Sequence, residues 1–151
     1  SMCPNTRVSG SNSSAPPRAM NNLSARPSGR PRAAAIFSGS AGVNDDGAAF
    51  NDFEGLGGDD SIIGNGNTRV SYGFALAGVT VDIRSGTGHG TDLGDLAGVG
   101  VDTFTDINAI AGSSFADLLF GSDNARATAE NFTGGAGNDS IDGRGGFDRV
   151  I

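Results

Sequence analysis

Glycine and aspartate recur with a period of nine residues near the end of this chain. In residues 134–142, which read GGAGNDSID, glycine stands at positions 1, 2 and 4, Asp139 at position 6 and Ile141 at position 8. The next nine residues, 143–151, continue in register, with one glycine displaced by Arg144. A carboxylate at a fixed distance from a glycine turn can bind a cation, so this spacing indicates a candidate cation-binding site.

Two less regular copies lie upstream. Residues 55–63 carry the same pattern with a single displaced glycine. Residues 112–120 keep the first glycine, Asp117 and Leu119, but serines and Phe115 stand where glycines would. We call each of these nine-residue stretches a unit and number its positions from 1 to 9.

The residue types in a unit suit calcium. Glycines at positions 1, 2 and 4 allow positive φ angles, so that carbonyl oxygens can turn towards a small cavity. The aspartate at position 6 adds a carboxylate. Calcium takes six to eight oxygens at about 2.3–2.6 Å and tolerates irregular geometry, so carbonyls and carboxylates from two stacked turns would serve it. The bulky apolar residue at position 8 is then expected to point inwards, as in the calcium-binding nonapeptides of parallel β-helices.

Short strands are expected between these turns. Residues 77–83 alternate apolar and polar side chains, which is typical of a strand. Phe104, Ile107 and Ile110 follow at intervals of three, which suits inward-pointing residues at the successive bends of a solenoid. No window of about twelve residues has the period of an amphipathic helix. The sequence therefore predicts an all-β fold with many tight turns.

Composition divides the chain into two parts. Residues 1–35 hold all five prolines and five arginines without an acid, and are expected to form a disordered basic tail or linker. Residues 36–151 hold the other five arginines and all 17 acids, a formal charge of −12. An acidic body attracts cations and repels nucleic acid, and no stretch is apolar enough for membrane insertion. The lone cysteine excludes a disulfide within the chain, which favours metal as the stabilising element.

The units at 55–63 and 112–151 resemble the RTX, or haemolysin-type calcium-binding, repeat family, and residues 64–111 resemble the long spacers between such blocks. The resemblance implies a right-handed parallel β-roll, a β-helix-like solenoid, over residues 36–151. It also implies a secreted or cell-surface bacterial protein, adhesin-like or toxin-like, that stays unfolded at low calcium and folds outside the cell. Its partners would be calcium ions and neighbouring β-roll coils of the parent protein. Such a module is not an enzyme.

The resemblance also implies the ligands. The side-chain ligands are the position-6 aspartates Asp60, Asp117, Asp139 and Asp148. Turn carbonyls would come from around Gly55, Gly57, Gly58, Gly134, Gly135, Gly137, Gly143, Gly145 and Gly146. In the unit that follows Ile63 the register puts Arg69 at position 6, so that unit is not expected to complete a site. Glu130 is either a replacement for the missing aspartate of its unit or a solvent-facing loop carboxylate.

Family sites lie between a unit and the second unit after it. Asp139 and Asp148 therefore need a following coil, and the chain is expected to be a piece of a longer repeat protein. Without calcium, residues 112–151 are expected to be largely unfolded.

Two other functions remain open from the sequence. The chain could be an accessory repeat domain of a secreted protease, lipase or polysaccharide-modifying enzyme. It could also be a calcium-independent solenoid with a binding surface, which would need flat rows of outward threonine or asparagine. A Ser-His-Asp arrangement around His89 and Asp92 is conceivable, but a surface-loop histidine is favoured.

Overall fold

The computed structural model describes residues 36–38, 50–124 and 129–151. Within these residues the chain is all-β, with twelve strands, two sheets and no helix, as the sequence predicts. Nothing in this part of the chain is a helix long and apolar enough to cross a membrane. The expected disordered tail, residues 1–35, lies outside the described residues.

The strands are short, because glycine turns interrupt the chain every few residues. They are β1 (Ile36–Ser38), β2 (Asn51–Phe53), β3 (Ser61–Ile63), β4 (Thr68–Ser71), β5 (Val79–Asp82), β6 (Thr87–Gly90), β7 (Val101–Thr105), β8 (Ala109–Ala111), β9 (Leu118–Phe120), β10 (Ala129–Thr133), β11 (Ser140–Asp142) and β12 (Phe147–Val150). Seven of them form sheet A, in the order β1-β3-β7-β6-β5-β9-β11. The other five form sheet B, in the order β12-β10-β8-β4-β2.

The chain passes from one sheet to the other at nearly every turn. Strands β2, β4, β8, β10 and β12 lie in sheet B, and the segments between them lie in sheet A. Neighbouring strands within a sheet are parallel, except that β6 runs antiparallel to β5 and β7. A parallel neighbour cannot be reached through a tight hairpin, and here the other sheet provides the crossover.

The antiparallel strands form an insertion in sheet A. β5, β6 and β7 stand side by side between β3 and β9, whereas β4 and β8 are direct neighbours in sheet B. The space beneath the insertion holds four buried side chains, those of Tyr72, Ala75, Ala97 and Val99. Gly88 is required there, because a Cβ at this position would overlap the Tyr72 hydroxyl.

The core lies between the two sheets and is lined by the inward residue of each strand. Ile62, Phe104 and Leu119 point inwards from sheet A, and Ile110 and Phe132 point inwards from sheet B; none is more than 4% exposed. Each such burial contributes about 1.5–3 kcal/mol relative to exposure. The predicted inward set of Phe104, Ile107 and Ile110 is buried throughout.

Candidate metal centre in the stacked turns

Three units share one backbone pattern. In residues 55–63, 134–142 and 143–151, positions 2 and 4 have positive φ angles. These residues are Leu56 (72°), Gly58 (103°), Gly135 (92°), Gly137 (129°), Arg144 (59°) and Gly146 (128°). The left-handed conformation persists at Leu56 and Arg144, where it costs roughly 1–2 kcal/mol for a residue with a Cβ. The turn therefore keeps its shape at Leu56 and Arg144, whereas Ser113 and Phe115, at the same two positions of residues 112–120, do not have positive φ angles.

The glycine at position 1 serves a different purpose from the one expected. It does not have a positive φ, so the expectation of a left-handed residue there is wrong. Instead, a Cβ at Gly134 would overlap Oδ2 of Asp139, the position-6 carboxylate of the same unit. The same overlap recurs between Gly55 and Asp60, Gly112 and Asp117, and Gly143 and Asp148. Glycine at position 1 lets the position-6 carboxylate fold back against its Cα.

The first pair of stacked turns brings Asp117 and Asp139 together. The backbone N–H of Asp117 donates to Oδ1 of Asp139 at 3.1 Å. Asp117 is 1% exposed and accepts hydrogen bonds from the N–H of Val79 at 2.8 Å and from the N–H and hydroxyl of Ser113 at 2.6 and 2.7 Å. Ser113, which occupies a glycine position, thus contributes a hydroxyl to the turn.

The second pair is formed by Glu130 and Asp148, which are partners in the parallel pairing of β10 with β12. Glu130 is 2% exposed and accepts hydrogen bonds from the N–H and hydroxyl of Ser122 at 2.9 and 2.5 Å. Its place in the strand answers the question that the sequence leaves open: Glu130 stands at position 6 and is not a solvent-facing loop carboxylate.

The Asp148 carboxylate lies in an unfavourable electrostatic environment. Among the described residues, its buried Oδ1 has no hydrogen-bond partner. Burial raises the pKa of this carboxyl above its usual range, and the neighbouring charge of Glu130 raises the pKa further. Two adjacent carboxylates that share a site favour a cation or a proton between them.

The third pair joins Asp60 to Asp102. The N–H of Asp60 donates to Oδ1 of Asp102 at 3.0 Å, and the Tyr72 hydroxyl donates to Oδ2 at 2.9 Å. Both aspartates are 2% exposed. Burial, together with the charge of Asp60, raises the pKa of Asp102 to about 7, even though both hydrogen bonds lower it.

Asp102 belongs to a unit that sequence reasoning missed. In residues 97–105, Gly98 and Gly100 have positive φ at positions 2 and 4, and Asp102 and Phe104 follow at positions 6 and 8. This unit stacks directly on residues 55–63, since Ser61 and Thr103 are strand partners. The spacing G-x-G-x-D-x-F was the available signal, but Ala97 at position 1 and the long irregular spacer before it obscured the period.

The expected register of the unit after Ile63 is wrong by one residue. Val70 points into the core, so Thr68, not Arg69, stands two positions before the inward residue. Arg69 points outwards and forms an ion pair with Asp52. The conclusion that this unit lacks a position-6 carboxylate is unaffected.

Carbonyl oxygens enter the gaps between stacked turns. A Cβ at Gly112 would lie 2.6 Å from the carbonyl oxygen of Gly134, and one at Gly100 would lie 2.5 Å from that of Gly58. The carbonyl oxygen of Gly143 approaches Gly121 in the same way. The remaining predicted carbonyl donors belong to the same turns: Gly55, Gly57, Gly135, Gly137, Gly145 and Gly146.

The donors present fit a hard cation. Within the described ranges, no group of three or more His, Cys, Asp or Glu side chains gathers at one point. A site at one of these pairs would combine two carboxylates with carbonyl oxygens. The ion pairs there engage Asp52, Asp82 and Asp123 rather than the acids of the Asp117–Asp139 and Glu130–Asp148 pairs. Oxygen-only donor sets of this kind suit calcium.

The histidine lies apart from these turns. His89 is half-buried in β6, and its Nδ1 lies 2.8 Å from the carbonyl oxygen of Gly90. Asp92 lies in the exposed loop that follows β6. The geometry of His89 is that of a strand residue bonded to its own backbone.

Comparisons with protein-family models, with curated proteins and with solved structures find no match to this chain.

Proposed function

We propose that this chain is a calcium-binding module in which calcium ions join stacked glycine turns of a right-handed parallel β-roll. The main observation in support is the pairing of carboxylates from adjacent turns, above all that of Glu130 with Asp148. Like charges that face each other on adjacent strands destabilise a fold unless a cation compensates them. The gap between the turns offers carbonyl oxygens in addition, which is the coordination that calcium prefers.

The β-roll is supported by the path of the chain. Apart from β5, β6 and β7, which all lie in sheet A, successive strands alternate between the sheets. β10 pairs in parallel with β12 at an offset equal to two nonapeptide units. Each pair of consecutive units then makes one coil. The right hand follows from a general rule, because parallel crossover connections are right-handed in about 98% of cases.

Three places in the chain have suitable donors. Asp117 and Asp139 would act with the carbonyl of Gly134, and Glu130 and Asp148 with that of Gly143. Asp60 and Asp102 would act with the carbonyl of Gly58. The ion supplies charge neutralisation and a link between coils, so its role is structural. If calcium binds the folded form alone, one site at a hundredfold excess over its Kd contributes about 2.7 kcal/mol.

The setting that best suits this module is a bacterial protein at the cell surface or in the extracellular medium, where calcium is plentiful. The partners would be calcium ions and further coils of the parent protein. Those coils would cover the exposed side chains of Phe147 and Val150 on β12, which are 64% and 63% exposed.

A calcium-independent binding surface is less well supported. The outer face of sheet A carries an adjacent row of hydroxyl groups from Ser61, Thr103 and Thr87. The next two partners along that row are Asp82 and Phe120, so the row ends after three strands.

The test is a calcium titration followed by isothermal calorimetry and by far-ultraviolet circular dichroism. We expect heat of binding with calcium and a cooperative rise in β signal, with neither for magnesium at the same concentration. Asp139→Asn should weaken calcium binding, whereas Asp92→Asn, which removes the same charge from an exposed loop, should not. An absence of both heat and spectral change with calcium would refute the proposal.

A further inference from the structure

We infer that calcium controls only the last four strands, β9 to β12, and that residues 50–111 fold without calcium into a platform that templates them. This inference rests on the proposed function, since it concerns which coils need the ion. Three observations carry it: the contiguity of the platform in both sheets, the distribution of the core and the chemistry of position 6.

The platform is continuous in space as well as in sequence. Its strands occupy adjacent places in sheet A, as β3-β7-β6-β5, and in sheet B, as β2-β4-β8. The four C-terminal strands attach at one boundary in each sheet, where β9 pairs with β5 and β10 pairs with β8, whereas β1 pairs with β3 at the opposite edge of sheet A. Removing the four C-terminal strands would therefore expose two edges without interrupting any pairing inside the platform.

The buried core belongs almost entirely to the platform. Of the thirteen residues in the buried hydrophobic cluster of the described chain, eleven lie between Ile62 and Ile110. Leu119 and Phe132 are the two in the C-terminal part. Farther along, Ile141 is only partly buried and Val150 is 63% exposed. Apolar burial can hold the platform together, but it is thin in the coils beyond it.

Position 6 changes chemistry at the same boundary. In sheet B the platform has neutral groups there, and they bond to one another: Asn51 Nδ2 donates to Thr68 Oγ1 at 3.4 Å, and the Thr68 N–H donates to Asn108 Oδ1 at 3.0 Å. The next two residues in this row are Glu130 and Asp148. Neutral donor–acceptor pairs close a turn without an ion, whereas stacked carboxylates repel each other until a cation arrives.

The one acidic pair of the platform is anchored differently. Asp102 accepts a hydrogen bond from Tyr72, whose side chain is 4% exposed beneath the β5–β6–β7 insertion. Asp60 and Asp102 also lie between β3 and β7, which are paired along their length and packed on the core. Calcium at this pair would add to a structure that the core already holds.

Hydrogen exchange of the full chain, in chelator and in calcium, tests the inference. In chelator we expect the amides of β3, β4 and β7, which pair with none of the four C-terminal strands, to stay protected, while those of β9 to β12 exchange at nearly unfolded rates. Calcium at a hundred times its Kd should raise protection in β9 to β12 about 100-fold per site. In the same titration the platform strands should change far less.

Two variants make the assignment specific. Asp139→Asn should reduce the calcium-induced protection of β9 to β12 and leave β3, β4 and β7 unchanged. Val81→Ala, which damages the platform core, should lower protection in both parts even in calcium, because the template is weakened.

Failure of the inference differs from failure of the proposed function. If calcium raises protection equally in all strands, calcium binding stands and the platform does not. If calcium changes protection nowhere, the proposed function falls and the inference falls with it.

Discussion

Glu130 and Asp148 face each other on neighbouring parallel strands, although their units are of unequal length and their side chains differ by a methylene. The unit at 121–133 has about four more residues than a regular unit, yet the strand pairing still places its carboxylate at position 6. The strand pairing thus forms an acidic pair that the residue spacing alone does not predict.

Asp148→Asn should have opposite effects with and without calcium. In chelator it removes the repulsion that raises the pKa of Asp148, so the C-terminal strands should become more stable. In calcium it removes a charged ligand, so affinity should fall at least about tenfold. Calorimetry and hydrogen exchange measure the two effects. Equal affinity for calcium in the variant and the parent chain would contradict the assignment of Asp148.

Gly134→Ala tests the close approach at position 1. The added Cβ overlaps Oδ2 of Asp139, so the carboxylate must move, and we expect a loss of about 1–3 kcal/mol in stability together with weaker calcium binding. Gly73→Ala is the matched control, because its Cβ would lie 3.6 Å from the nearest atom and its φ is ordinary. Thermal unfolding in calcium compares them. Equal melting temperatures would show that position 1 needs no glycine.

Arg144→Gly restores the repeat residue yet should destabilise the last unit. The Arg144 guanidinium forms two hydrogen bonds to the Asp82 carboxylate, each 2.8 Å, and a third to the Gly121 carbonyl. These bonds connect the final turn to β5. We expect them to stabilise the fold by more than would be gained by removing the left-handed conformation of Arg144. Leu56→Gly relieves the same conformation without an ion pair, and should change stability by less than about 1 kcal/mol. The two variants should differ less in 1 M salt, which screens exposed pairs.

The Asp82–Arg144 pair predicts a defined acid sensitivity. Arg144 holds the pKa of Asp82 below its usual range. The stability from this pair is therefore fully present above the unfolded pKa of about 3.9, and is lost as the pH falls through the lower folded value. The melting temperatures of the parent chain and of Asp82→Asn should differ by a constant amount between pH 5 and 7, and should converge below about pH 4. A difference that persists at pH 2 would mean that the pair contributes through something other than charge.

The sequence predicts the local structure of this protein better than its long-range pairing. Period-nine glycine and aspartate identify turns because the left-handed conformation is expensive for other residues. Alternation in residues 77–83 identifies β5 for a similarly local reason. The antiparallel course of β6 depends on which strands meet across the spacer, and nothing in its short sequence, TGHG, indicates that partner.

The two errors of spacing have different origins. Counting nine from Asp60 reaches Arg69, but the fold follows burial, and Val70 is the residue that fills the core. The unit at 97–105 escaped notice for the opposite reason, because its backbone keeps the turn although Ala97 has replaced a glycine. A fixed nine-residue spacing therefore fails to predict the structure where the fold accepts a shifted register or a replaced glycine.

The insertion of β5, β6 and β7 also has a geometric consequence. In the described part of the chain, sheet A has two more strands than sheet B, which at about 4.8 Å per strand makes one face nearly 10 Å longer than the other. If the coils stack as in the proposed β-roll, two faces of unequal length cannot run straight together, and the axis of the stack would bend towards the shorter face. In a longer stack of coils, insertions that recur in the same sheet would curve the solenoid. Insertions that alternate between the two sheets would keep it straight.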